Sequence, residues 1–216
     1  MKVSLHAGHN INGSRACGAV GYVDESKYTR KILESVKAYW NTSVPFNDCT
    51  VNDGVSSQSG VLKKLVTNIN AYDPTYAVSL HMNSFSNTSA EGFEVLVHKN
   101  TTASNKALAE FIVNDMCSAF GFKNRGVKEV DNLYLLTHTN CPCMILEIGF
   151  VTNYHDSNIV MKQYDAIGAR IAHILSGVTT PSKLYDVKVY GVNENDAKKI
   201  TDIAYSAGVV YQKRER

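Results

Sequence analysis

The chain has 216 residues, with 22 basic and 20 acidic side chains and a formal net charge of +2. At roughly 100–200 residues per domain, this length excludes a large multidomain protein and allows one main domain with a small appendage. The balanced charge gives no electrostatic footprint for a nucleic-acid partner. No apolar run reaches about 18 residues, so the sequence predicts no transmembrane helix and no membrane partner.

The first residues and the cysteines indicate the compartment in which the chain is made. Residues 1–6 hold one lysine and only a short apolar stretch, which cannot supply the apolar core of a secretory signal. We therefore expect a chain made in the cytoplasm without a signal peptide of its own. Its five cysteines form an odd set without framework spacing, and such a set is typical of free thiols.

Apolar periodicity divides the chain into alternating strand-like and helix-like segments. Strands are predicted at residues 3–5, 76–80, 92–97, 133–136 and 144–151. Helices are predicted at residues 26–40, 58–71, 104–120 and 157–175, where apolar side chains recur every three or four positions. This alternation predicts an α/β fold with a mainly parallel, twisted sheet and helices on both faces.

One boundary stands out near the C-terminal end of the chain. Residues 177–182 are small and polar and include Pro181, a composition that is typical of a linker. Residues 1–176 are therefore expected to form the main domain. Residues 183–216 predict a small β-α-β element, too short to bury a good core alone, which we expect to bind the substrate, to self-associate or to be the start of a truncated domain. Whether Arg216 is the natural end stays open.

Three polar side chains stand where an apolar strand pattern stops. His9 follows the first predicted strand, His81 follows the second, and Glu147 interrupts the apolar run 144–151. Because ligands bind at the carboxyl ends of parallel strands, these side chains are expected to meet at one edge of the sheet. An ionised glutamate inside an apolar run is costly unless it is paired, protonated or close to a cation.

Two histidines and one carboxylate form a known catalytic zinc set. Glu25, just before the first predicted helix, is a candidate for the carboxylate, and Asp24 competes with it. Both acidic residues could instead only stabilise the helix N-terminus through its dipole. From spacing alone, the zinc site and this simpler explanation remain equally open.

Five segments in the same order resemble the zinc-dependent N-acetylmuramoyl-L-alanine amidases of the amidase_3 type, and within them the phage endolysin branch. The resemblance covers about residues 1–176. The matching segments are Ala7-Gly8-His9, Ser79-Leu80-His81-Met82-Asn83, Gly92-Phe93-Glu94-Val95, Asn124-Arg125-Gly126 and the apolar stretch from Pro142 to Asn153. In addition, Glu25 stands at the position of the family's ligand glutamate.

The resemblance implies one Zn²⁺ per chain, held by His9, Glu25 and His81, with Glu147 as the catalytic carboxylate. It also makes Asn83 and Arg125 candidates for contacts with the substrate. The implied reaction is hydrolysis of the amide bond between N-acetylmuramic acid and L-alanine in bacterial peptidoglycan. The resemblance further implies a protein that acts on the cell wall after its release in the infected cell and causes lysis.

Two alternatives remain: a zinc peptidase that cuts within the stem peptide, and a wall-binding module without activity. The chain departs from the family pattern at His6, where many members carry an acidic residue, so a metal role for His6 also stays open. A second zinc at His138, Cys141 and Cys143 is not expected, because Cys-x-Cys is a poor chelate and Pro142 stiffens it.

Overall fold

Alternating strands and helices form the part of the chain that the computed structural model describes, which is residues 1–11, 13–52 and 55–177. The strands are β1 (Val3–Ala7), β2 (Phe46–Asp48), β3 (Tyr76–Asn83), β4 (Phe93–His98), β5 (Asn124–Val130) and β6 (Cys143–Phe150). The helices are α1 (Glu25–Ala38), α2 (Gln58–Tyr72), α3 (Ala103–Phe120), α4 (Tyr134–His138) and α5 (Tyr154–Leu175).

The described strands pair into a six-stranded sheet in the order β2-β1-β3-β6-β4-β5. All neighbouring strands run parallel except β4 and β6, which are antiparallel. The predicted α/β fold with a mainly parallel sheet is therefore confirmed. The carboxyl ends of β1, β3 and β6 meet at one edge, and this edge carries the residues singled out above.

Each face of the sheet is covered by its own layer of helices. Successive strand residues point to opposite faces, so Leu146 joins the larger core with α1, α3 and α5, while Ile145 joins a smaller core with α2 and α4. Leu65 of α2 and Leu135 of α4 are both almost fully buried in this smaller core. Helices on both faces were predicted from the sequence, and this prediction is confirmed.

The helix ends follow from local hydrogen bonding. Asp24, Ser57, Thr102 and Asn153 each accept a backbone N–H of the next turn, which satisfies a donor that a helix start would otherwise leave unpaired. The helix α3 ends at Gly121, whose φ of 82° is accessible to glycine at little cost. The four long helices consequently begin within three residues of the predicted positions.

One predicted strand is wrong and two strands escaped prediction. Residues 133–136 were expected to be a strand but lead into the short helix α4, whose Leu135 and Leu136 pack against the smaller core. A run of four apolar residues fits one helical turn as well as a strand. The strands β2 and β5 carry polar, partly exposed residues because they lie at the two edges of the sheet.

The predicted linker 177–182 and the C-terminal β-α-β element 183–216 lie outside the described residues, apart from Gly177. In the described part, no helix has the length and apolar character needed to cross a membrane.

The fully buried Asp156 ties the start of β4 and the end of β6 to helix α5. One carboxylate oxygen, Oδ2, accepts the backbone N–H of Gly92 at 2.7 Å and that of Phe150 at 2.9 Å. An Asp156→Ala variant leaves both donors buried without a partner, so we expect it to lower the free energy of unfolding by about 2–4 kcal/mol.

Urea unfolding measures this loss. Glu110→Ala on α3 removes an exposed carboxylate and should cost less than half as much. Equal losses in the two variants would contradict the role given to Asp156.

Candidate active site

Three side chains from separate elements meet at the carboxyl edge of the sheet. His9 lies just beyond β1, Glu25 is the first residue of α1, and His81 lies on β3. The Oε1 atom of Glu25 is 3.2 Å from His9 Nε2 and 3.0 Å from His81 Nδ1. One donor atom from each side chain lies within 4.8 Å of the other two. The structure thus brings together the three residues predicted as metal ligands.

The carboxylate of Glu25 is held by the backbone on both of its oxygens. Oε2 accepts the N–H of Ala19 at 2.8 Å, and Oε1 accepts the N–H of Met82 at 3.1 Å. Burial raises the pKa of Glu25, but hydrogen bonds with His81 and His9 outweigh it and hold the pKa well below its usual range. Glu25 is therefore a fixed anion between two imidazoles.

Asp24, the competing candidate, does something else. Its Oδ1 accepts the backbone N–H of Lys27 at 3.0 Å and so caps helix α1. The dipole explanation applies to Asp24, whereas Glu25 is turned toward the histidines.

A close backbone approach packs the ring of His81 against the loop after β1. A Cβ atom placed on Gly8 would lie 2.2 Å from Cε1 and Nε2 of His81, so only glycine leaves room for the imidazole. The next residue, His9, has a φ of 62°, in the left-handed region that a histidine seldom adopts. This turn aims the His9 ring at Glu25, and the two imidazoles meet edge to face at 4.7 Å between centroids.

Glu147 lies on β6 directly beside His81 of β3 and opposite Glu94 of β4. Its Oε2 atom is shielded from solvent and has no hydrogen-bond partner among the described residues. Burial, with the added negative charges of Glu25 and Glu94, raises the pKa of Glu147 to about 8. A carboxyl group with such a pKa can exchange a proton near neutral pH.

The other two predicted site residues are joined through a buried carboxylate. Glu94 accepts a hydrogen bond from Asn83 Nδ2 at 2.9 Å and forms an ion pair with Arg125, whose Nε lies 2.7 Å from the carboxylate. Asn83 lines the cavity above the three donors, whereas Arg125 does not and lies over the ring of Phe150. The sequence analysis did not single out Glu94 as a site residue.

The cavity that contains these groups has a volume of about 530 Å³ and opens to solvent. His9, Glu25, His81 and Glu147 share its floor with polar and small residues of the surrounding loops. Its lining includes Cys17, Gly18, Gln58, Asn83 and Ser84.

Sequence reasoning missed Arg30, which holds the loop that carries His9. Its guanidinium donates to the backbone carbonyls of His9 at 3.1 Å and Val51 at 3.0 Å and to the hydroxyl of Ser26 at 2.8 Å. Ser26 in turn donates to the carbonyl of Asn10 at 2.5 Å. The sequence of α1 held a sign of this role. The apolar stripe of the helix continues toward its N-terminus as polar residues, Glu25, Ser26 and Thr29, and these are buried.

The remaining histidine and cysteine candidates lie apart from the three donors. His6 is fully buried with its Nδ1 3.4 Å from Cys49 Sγ, and burial, with His81 adding to it, lowers the pKa of His6 to about 3. His138 is exposed and stacks on Tyr134, and Cys143 is buried under α4. Over the described ranges, no second group of three His, Cys, Asp or Glu side chains brings its donor atoms together in this way.

The donor set fits a zinc ion. Two imidazole nitrogens and one carboxylate oxygen are the ligands of a known class of catalytic zinc site, which keeps a further position for water or substrate. The backbone donors to Glu25 supply the outer contacts that orient such ligands. We therefore expect His9, Glu25 and His81 to hold one divalent cation.

Comparison with known proteins assigns this arrangement to a family. A family model described as N-acetylmuramoyl-L-alanine amidase matches residues 3–179. An uncharacterized protein of Clostridium perfringens is 28% identical over 188 residues, which cover 82% of this chain and 52% of that protein. The N-acetylmuramoyl-L-alanine amidase CwlM of Bacillus licheniformis is 24% identical over 73% of this chain and 59% of its own length. The chain spans about half the length of the first curated relatives that it matches.

Solved structures agree on the fold. The catalytic domain of the CD27L endolysin, which targets Clostridia difficile, superimposes with a TM-score of 0.71. It is 22% identical and covers 82% of this chain and 97% of its own. At that identity the likeness extends to the fold alone.

We expect the purified chain to bind one zinc ion and a His81→Ala variant to lose it, because His81 supplies one of three converging donors. Metal analysis by mass spectrometry after dialysis measures the zinc content. His155→Ala, which removes a histidine whose side chain is 60% exposed, is the matched control and should keep its zinc. A His81→Ala protein with full zinc content would overturn the ligand assignment.

Proposed function

The chain belongs to the N-acetylmuramoyl-L-alanine amidase family, and from that membership we propose that it hydrolyses the amide bond between N-acetylmuramic acid and L-alanine in peptidoglycan with the help of one zinc ion. The observation that carries the proposal is the position of Glu147, a carboxyl group without a hydrogen-bond partner among the described residues, beside the cluster of His9, Glu25 and His81. A metal-dependent amide hydrolase uses a Lewis acid and a proton carrier side by side. His9, Glu25 and His81 would hold the metal ion that acts as the first, and Glu147 would be the second.

A zinc ion, when bound, polarises the amide carbonyl and lowers the pKa of water. The protein's own contribution to proton transfer is assigned to Glu147. Its carboxylate accepts a proton from the attacking water while the C–O bond forms, and the same group then gives this proton to the amide nitrogen as the C–N bond breaks. The products are a lactyl carboxylic acid on the sugar and a free amino group on L-alanine.

Two of the residues above are assigned to positioning the substrate. Asn83 lines the cavity, and its carbonyl Oδ1 accepts the N–H of Ser84 at 2.8 Å while its amide is held by Glu94. Arg125 is held by the same carboxylate at the far side of that pair. We assign Asn83 a direct contact with the substrate inside the cavity. We assign Arg125 a contact outside the cavity, with the part of the glycan or of the stem peptide that extends beyond it.

The biological setting is proposed on the same basis. The motifs of this chain resemble those of the phage endolysin branch, and an endolysin catalytic domain has the same fold; we therefore propose a role in lysis of bacterial walls. Residues 1–176 would carry catalysis, and residues 183–216, which lie outside the described part, would bind the wall or a second copy of the chain. The extent of the family match supports this division, since it ends at residue 179.

Digestion of purified cell walls tests the reaction. An amidase releases intact stem peptides with a new L-alanine amino terminus, which mass spectrometry and amino-group labelling detect. New amino groups within the stem peptide would instead assign the chain as a peptidase. If the zinc-loaded protein releases no new amino groups from the walls, the chain would instead be a wall-binding module without activity.

Exchange of the proton carrier should separate chemistry from metal binding. We expect Glu147→Gln to keep the fold and the zinc but to lose at least about 10²–10⁴-fold in hydrolysis rate, because the amide cannot accept the proton. Rates on soluble muropeptides and zinc content are measured on the same samples. Glu34→Gln, at a side chain that is 70% exposed, should change neither.

A fall in zinc content together with activity in Glu147→Gln would make Glu147 a ligand, and the role of Glu25 would then have to be reassigned.

Removal of the C-terminal segment should separate catalysis from wall binding. Helix α5 ends at Leu175, whose carbonyl accepts the hydroxyl of Tyr76 at 2.6 Å, and Ser176 contacts Asn41. The last described residues are thus anchored to the domain, so a chain ending near Gly177 should hydrolyse soluble muropeptides at close to the full rate. Loss of the C-terminal segment should lower the fraction of protein that pellets with whole walls, or change the oligomeric state measured by size-exclusion chromatography. A truncated chain that does not fold would contradict this division.

A further inference from the structure

A second, apolar pocket adjoins the candidate active site. It has a volume of about 240 Å³ and is bounded by α2, α4 and the face of the sheet that they cover. Its lining includes His9, His81 and Glu147, so it opens directly onto the groups that would perform the reaction. The rest of its wall is almost entirely aliphatic.

Five apolar side chains of this wall remain partly exposed: Ala16, Leu62 of α2, Leu96 of β4, and Leu133 and Tyr134 at the start of α4. They lie on a floor of fully packed residues that includes Leu65 and Ile145. Apolar surface left open in a concave site next to reactive groups is characteristic of a ligand subsite. Among the described residues, this lining contains no lysine, arginine or aspartate.

The chemistry of the proposed substrate limits what can occupy the pocket. On one side of the scissile amide lies a sugar with hydroxyl groups, which suits the polar cavity lined by Asn83 and Ser84. On the other side lies the first residue of the stem peptide, whose side chain is aliphatic and uncharged. The following glutamyl residue carries a carboxyl group, and among the described residues the pocket wall beyond His9 and His81 offers it no basic side chain.

We propose that this pocket is the subsite for the side chain of the first stem-peptide residue, and that it accepts aliphatic side chains larger than alanine. The inference rests on the proposed amidase reaction. The methyl group of alanine fills only a small part of about 240 Å³, so the walls leave room for a branched side chain. The pocket therefore selects for apolar character at this position and does not select for small size.

A substrate series tests this with the unaltered, zinc-loaded full chain. The probes are synthetic N-acetylmuramoyl dipeptides that differ only in the first residue, which is glycine, L-alanine, L-valine or L-serine. We expect kcat/KM to rise about fourfold for each methyl group that enters the pocket, from glycine through alanine to valine. The serine substrate should react no faster than the glycine substrate, because the aliphatic side chains that make up most of the wall offer its hydroxyl no hydrogen bond.

A matched pair of variants assigns the preference to the pocket. Leu62→Asn introduces a polar group into the wall and should bring the valine-to-glycine ratio of kcat/KM close to one. Leu108→Asn changes an equally half-buried leucine on α3, which packs against the other core, and should leave the ratio unchanged. A loss of stability alone lowers all rates together and leaves the ratio as it was.

The possible outcomes are distinct. Equal rates for all four substrates, or a valine substrate at least tenfold slower than the alanine substrate, would overturn the subsite while leaving the amidase reaction in place. A rate that follows the length of the sugar's N-acyl chain, tested with an N-propionyl analogue, would overturn it and assign the pocket to the sugar. Cleavage of none of the substrates would overturn the proposed function and this inference with it.

Discussion

The buried carboxylate of Glu25 is the constraint on which the site depends. A charge with 2% exposure is tolerated only if its oxygens are fully occupied, and here two imidazoles and two backbone N–H groups occupy them. These partners come from the loop after β1, from the loop before α1 and from β3. Satisfying one carboxylate therefore fixes three separate segments relative to one another, and Arg30 fixes the first of them a second time.

The order of the strands turns this local cluster into a row of functional groups. His81, Glu147 and Glu94 are neighbours on β3, β6 and β4, so their side chains stand on the same face of the sheet. Burial, together with the negative charges of Glu25 and of Glu94 in this row, raises the pKa of Glu147. The change from parallel to antiparallel pairing at β4 brings Glu94 into this row.

The sequence carried much of this arrangement. The apolar runs that stop near His9 and His81 predicted where β1 and β3 end, whereas Glu147 interrupts an apolar run and lies inside β6. A buried strand tolerates such polar residues only at its end or at a functional site. The choice between Asp24 and Glu25 could not be made from spacing, because it depends on how the helix start is rotated. The strands β2 and β5 lie at the edges of the sheet and carry partly exposed polar residues, so they lack the apolar run that predicts a strand. Arg30 acts on backbone carbonyls, which no side-chain motif records.

The position of β6 in the sheet has a consequence for synthesis. Among the described strands it is the last in the chain, yet it lies between β3 and β4 and joins two half-sheets that otherwise share no strand pairing. The sheet closes only when Cys143–Phe150 has left the ribosome, and that segment also delivers Glu147. A nascent chain that ends before β6 therefore lacks Glu147, although His9, Glu25 and His81 have already been synthesised. In the proposed reaction, the groups that hydrolysis requires are complete only after the last described strand has joined the sheet.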